Sequence, residues 1–168
     1  MRPLIRYTLG IATAVHVTVA PTASAQAARP NACALVDAPE LIRLTGRKDF
    51  SGRGPKLSPP SEVPAPDMSL CHFLGVTFAL RNNMTAERFA RIRRSHEAGS
   101  WKVQSISGLG DEAFSLWDPS PGSRKSVLID FRSGSKQVSL EDVVPSDSVE
   151  ATKKLLISIA KAIAPRVR

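Results

Sequence analysis

Residues 101–144 read WKVQSISGLGDEAFSLWDPSPGSRKSVLIDFRSGSKQVSLEDVV, and this stretch decides the fold. Four runs rich in apolar and β-branched residues, at 101–106, 113–117, 126–132 and 137–144, are separated by Gly108-Leu109-Gly110-Asp111, by the 119–122 segment with its Pro and Gly, and by Ser133-Gly134-Ser135. Each separator has turn composition. Consecutive strands joined by short turns pair antiparallel, so the stretch predicts a meander.

Downstream, Pro145-Ser146-Asp147 introduces a closing helix in which Val149, Leu155, Leu156, Ile159 and Ile163 approximate one apolar face, with Lys153, Lys154 and Lys161 largely off it. Upstream, Thr85 caps a helix running to about Ala98 and ended by Gly99. Its Phe89 and Ile92 face the core, and Arg88, Arg91 and Arg94 form a stripe three residues apart. Before it, Cys71 to Leu80 carries Phe73, Val76, Phe78 and Leu80 and predicts a buried strand whose alternation Gly75 weakens; Asn82-Asn83 makes the turn. Residues 47–67 are rich in Gly, Pro and Ser and predict a long exposed loop. A short first helix starts at Asp37 as cap, with Pro39 in its first turn and Glu40 placed to close a capping box, and stops at Gly46. Helices alternating with an antiparallel sheet describe the α+β class, a sheet meander packed by helices.

The first 27 residues have the grammar of a cleaved signal peptide. Arg2 and Arg6 are followed by an uncharged, mostly apolar run from Tyr7 to Ala20 and then by small residues, so cleavage falls before Gln26 or Ala28. The run is shorter than the roughly 18 to 20 residues of a spanning helix, and cleavage-site chemistry follows it at once. Pro30-Asn31-Ala32 before Cys33 is not a lipid-anchor signal. Cleavage removes two of the 23 basic residues and none of the 15 acidic ones, so the formal charge falls by two from +8 and the remainder, residues 28–168, stays basic. Its length suits one domain with one core. The predicted location is periplasmic or secreted.

Cys33 and Cys71 are the only cysteines, and export places them where disulfides persist. One bridge is the simplest reading; closing a loop of this length constrains the unfolded chain by about 4 kcal/mol on the chain-entropy account. The alternatives are free thiols, a redox pair or a metal site. No C-x-x-C spacing exists for a tuned thiolate. Cys71 and His72 are strand neighbours that point to opposite faces and so grip one ion poorly. No metal or cofactor is implied.

Catalytic signatures are equally weak. Gly108-Leu109-Gly110-Asp111 precedes a strand, whereas a phosphate loop opens a helix whose amino end receives the anion; it reads as a tight turn. Asp111 and Glu112, as strand neighbours, do not form an acid pair. No Gly-x-Ser-x-Gly elbow appears, and neither His72 nor His96 alone makes a nucleophile–base pair. The basic feature is Arg88, Arg91 and Arg94, with Arg93 and Lys102 nearby. It suits an anionic polymer, lipid headgroups or an acidic protein partner, or else it is a solvated face in which Glu87 and Glu97 pair with arginines four residues away. Nucleic acid is a poor fit, with no array of aromatics for stacking; Trp101 and Trp117 read as core or rim residues.

Short motifs in the chain resemble those of exported bacterial domains of unknown function, including relatives of the extracellular sensor domains of bacterial serine/threonine kinases. They are Cys33-Ala34-Leu35-Val36-Asp37-Ala38-Pro39-Glu40-Leu41 with Gly46, then Cys71-His72-Phe73, then Ser107-Gly108-Leu109-Gly110-Asp111-Glu112-Ala113-Phe114, then Gly134 in a hairpin and a closing helix. The resemblance covers most of residues 33–164. It implies a PsbP-like α+β fold, a cysteine bridge from first helix to first strand, and binding without catalysis. The chain departs from many such domains in lacking a lipid-anchor cysteine and a kinase domain, so tethering and signalling are not implied. The functional expectation is an exported, non-catalytic binding or interaction domain of the bacterial cell envelope, not an enzyme. A small envelope hydrolase or hydrolase inhibitor is the alternative.

Overall fold

A computed structural model describes residues 30–48, 54–59, 62–122 and 124–167; the expected signal peptide lies outside the described residues. Among these, the strands β1 (Lys56–Leu57), β2 (Met68–Phe73), β3 (Val76–Arg81), β4 (Lys102–Ser105), β5 (Glu112–Trp117), β6 (Arg124–Ser133) and β7 (Lys136–Pro145) form one antiparallel sheet in the order β1-β2-β3-β7-β6-β5-β4. The helices are α1 (Ala38–Thr45), α2 (Ala86–Ala98) and α3 (Val149–Ile163). The expected α+β class with its antiparallel meander is the observed one, and Cys33 is disulfide-bonded to Cys71, tying the 3-10 turn Ala32–Leu35 to β2.

Local chemistry accounts for the helix ends. The Asp37 carboxylate accepts from the Glu40 amide at 3.1 Å, and Gly46 closes α1 in the left-handed conformation at φ 63°. Thr85 accepts from the Arg88 amide at 3.1 Å and starts α2.

Three details differ from the sequence expectations. The segment from Cys71 to Leu80 is not one strand but part of a hairpin. Phe73 pairs with Val76 across a two-residue turn in which Leu74 and Gly75 have φ of 53° and 82°. Positive φ at both turn positions is what a tight hairpin requires. Leucine there gives no turn signal; Arg47 holds the turn instead, donating from Nη1 to the Leu74 carbonyl at 2.7 Å. Within 47–67, Lys56 and Leu57 pair with His72 and Cys71, because β2 offers an unpaired edge. Finally, Lys153 is drawn in from solvent: its ammonium lies 4.8 Å from the centroid of the Trp117 ring and donates to Glu150 at 2.8 Å and to Gln104 of the edge strand β4 at 3.2 Å.

The sheet has two unlike faces. On one, Phe78, Val127, Ile129, Phe131, Val138 and Leu140 pack against Leu156, Ile159 and Ile163 of α3 and Leu41 of α1, all buried. Each such side chain contributes about 1.5–3 kcal/mol by leaving water. On the other, α2 lays Phe89 on Phe114, ring centroids 5.2 Å apart, in a smaller cluster with Met84 and Leu116. That cluster covers the β4–β5 side of the sheet only.

Candidate functional site

Beyond the small cluster, α2 and the uncovered part of its face enclose a groove of about 220 Å3. Ile92 and His96, three and seven residues after Phe89, come down from the helix onto it. His96 also stands edge-on to Trp101, centroids 5.9 Å apart.

The floor is built by strand register. Asp130 of β6 lies opposite Ser139 of β7, which lies opposite Ala79 of β3; in the adjacent row, Arg132, Gln137, Arg81 and Met68 line up across β6, β7, β3 and β2. Residues two apart on a strand share a face, so both rows point to the same side. Leu128 and Met68 supply apolar walls.

Two of these polar residues are deeply buried, Asp130 at 3% exposure and Gln137 at 6%. Among the described residues, the buried side-chain atoms without a hydrogen-bond partner are Arg81 Nε, Asp130 Oδ1, Arg132 Nε and Gln137 Oε1, and all four belong to these two rows. Such atoms are rare in folded proteins, and each calls for an explanation. Burial pushes the Asp130 carboxyl above the ordinary aspartate range; hydrogen bonds from Ser139 and Gln137 and the charges of His96 and Arg81 pull the other way without offsetting it.

Asp142, three residues beyond Ser139 on β7 and so on the opposite face, shows the usual arrangement. It is 5% exposed and takes Arg47 Nη2 at 2.6 Å. Arg81, by contrast, makes no ion pair among the described residues, and its Nη2 rests 3.3 Å from Met68 Sδ.

The residues singled out in the sequence lie elsewhere. Arg88 is half-exposed and meets Asp67 at 3.3 Å. Arg91 and Arg94 are exposed on α2 and make no ion pair among the described residues, as does Lys102 on the edge strand β4. Arg93 pairs with Glu97 at 2.7 Å, the local pairing expected of a solvated helix face. Trp101 and Trp117 are half-buried at the rims of the two clusters. The Gly108-Leu109-Gly110-Asp111 loop is a structural clasp. Leu109 is buried in the main core, Asp111 accepts from the Gly134 amide at 2.8 Å and pairs with Arg132 at 3.1 Å, and a Cβ at Gly110 would collide with the Arg132 carbonyl.

Sequence reading missed the groove, although one signal was present. An acid at position 130 interrupts the apolar run of Val127-Leu128-Ile129 and Phe131 in the middle of β6.

No protein-family model and no curated protein matches the chain. Among solved structures, it is similar to the solution structure of cyanobacterial PsbP (CyanoP) from Synechocystis sp. PCC 6803, at 10% identity and a TM-score of 0.38, over 66% of this chain and 81% of that one. The α+β assignment itself rests on the sheet and helices described above. No helix among the described residues is long and apolar enough to cross a membrane.

Proposed function

We propose that the protein is an exported, non-catalytic binding domain of the bacterial cell envelope, and that the groove beneath α2 is its binding site. The observation that carries this reading is Asp130, 97% buried in an open-sided groove with one carboxylate oxygen lacking any partner. A buried, unpaired carboxylate costs stability, and such groups persist where a ligand uses them. The disulfide supports an oxidising compartment.

Binding is favoured over catalysis by the state of the groove's hydroxyl. Ser139 Oγ accepts from Gln137 Nε2 at 3.3 Å and serves the Asp130 carboxyl. A serine nucleophile needs a base on its hydroxyl, and no hydrogen bond among the described residues joins Ser139 to an imidazole. Native mass spectrometry of protein purified from the cell envelope, with the adduct's contacts mapped by amide chemical shifts, tests the reading. A small adduct that perturbs residues 128–139 and is lost on denaturation supports it. Turnover of wall or lipid substrates by the purified protein sinks it in favour of a hydrolase, and tight inhibition of an envelope hydrolase sinks it in favour of an inhibitor.

A second contact is proposed at the outer face of α2, where Arg91 and Arg94 stand exposed with Arg88 and Lys102 at the margins. Their chemistry suits an anionic envelope polymer or lipid headgroups. Salt-dependent retention on a polyanion, abolished by changing Arg91 and Arg94 to Ser, supports that contact. Unchanged retention assigns the stripe to solvation alone.

A further inference from the structure

Opposite charges share the groove without meeting. Arg81 on β3 and Asp130 on β6 are separated by β7 and make no ion pair with each other, although both line the same 220 Å3 of space. Two other charges on this sheet do pair, Asp142 with Arg47 at 2.6 Å and Arg132 with Glu112 at 3.0 Å. Three of the four unpartnered atoms belong to residues lining the groove, two acceptors, Asp130 Oδ1 and Gln137 Oε1, and one cationic donor, Arg81 Nε; the fourth, Arg132 Nε, lies outside the lining on a side chain already paired with Asp111 and Glu112. Resting on the binding reading above, we infer that the groove takes a small zwitterion of the α-amino-acid type, its ammonium donating to Asp130 and Gln137 and its carboxylate accepting from Arg81.

Three physical points support this assignment. A bare amine satisfies Asp130 but leaves Arg81 without a counter-charge, and a bare carboxylate does the reverse; a zwitterion answers both, and an uncompensated charge in a desolvated site is costly. The space is smaller than the 300 to 1,000 Å3 or so of drug-sized pockets, which suits a ligand of few heavy atoms. Besides His96 and Ser139, the remaining lining residues, Met68, Ala79, Ile92 and Leu128, are apolar and fit a short aliphatic side chain, so leucine and its neighbours in size are favoured over lysine or glutamate.

The test is titration calorimetry of the disulfide-bonded protein with L-leucine, with isoamylamine, which is leucine without the carboxylate, and with 4-methylpentanoate, which is leucine without the ammonium. Leucine is expected to bind in the millimolar range or tighter, and each half-molecule about tenfold more weakly. Amide shifts should move at Arg81, Asp130 and Gln137. Asp130→Asn and Arg81→Gln should each lose about tenfold in leucine affinity, with a melting temperature no lower for Asp130→Asn. Isoamylamine binding as tightly as leucine overturns the zwitterion and leaves a cation site. An envelope-derived adduct that maps to the groove, while leucine does not bind, overturns the amino-acid class but not the groove. Ordered water alone on the three atoms in a crystal grown with leucine overturns both.

Discussion

Beneath α3 the sheet presents Val127, Ile129, Phe131, Val138 and Leu140 with no exposed area at all, while beneath α2 the same two central strands present Leu128, Asp130, Gln137 and Ser139 to a groove. The two buried aspartates make the contrast sharpest. Asp142, on the α3 side, is clamped by Arg47; Asp130, on the α2 side, has an oxygen with no partner. Alternation along a strand lets one pair of strands serve two ends, because neighbouring residues answer to different faces. One face is built to hold the fold, and the other gives up some stability to keep polar groups available.

The largest expected break in this comparison is on the α3 face. Phe131→Ala should cost about 3–5 kcal/mol of unfolding free energy by denaturant titration, since a fully buried ring leaves a cavity that its neighbours close only in part. A cost below about 1 kcal/mol would mean that this face is not the packed core. Reducing the Cys33–Cys71 bridge, which anchors the same face to the 3-10 turn, should remove about 2–4 kcal/mol, read as a shift of the urea midpoint with and without reductant.

Asp130→Asn should move the other way and gain about 1 kcal/mol at neutral pH. The sign follows from linkage. Burial raises the folded-state pKa of Asp130, so the native protein holds its proton where the unfolded chain has lost it, and stability falls as pH rises through that raised value. Melting temperatures across acid to neutral pH should therefore show the variant's advantage growing upward through that window. A constant difference, or a loss, would place Asp130 among the structural residues with Asp142. The smallest effect is at Arg91 and Arg94: replacing both by Ser should change stability by less than about 0.5 kcal/mol, because exposed side chains without partners contribute little. A larger loss would make α2's outer face part of the fold.

Much of the framework was legible because it depends on neighbours in sequence. Asp37 and Thr85 cap helices through amides three residues on, and the 133–135 turn closes a hairpin whose strands register residue by residue. Leu74-Gly75 escaped because an unfavourable φ at leucine is stabilised from outside, by Arg47 nearly thirty residues earlier. β1 escaped because a two-residue strand exists only where another strand offers an edge. The arginine stripe drew attention because periodicity displays it, whereas the groove has no periodicity to display.

By itself, the sequence determined the α+β class, the helix starts and stops, the meander and the pairing of its two cysteines, since each follows from local propensity, spacing or elimination. Only the tertiary structure decided that Arg81, Asp130, Gln137 and Ser139 share one groove. They come from three strands brought side by side by the order β3-β7-β6, and whether a buried polar atom finds a partner depends on which strands lie beside it.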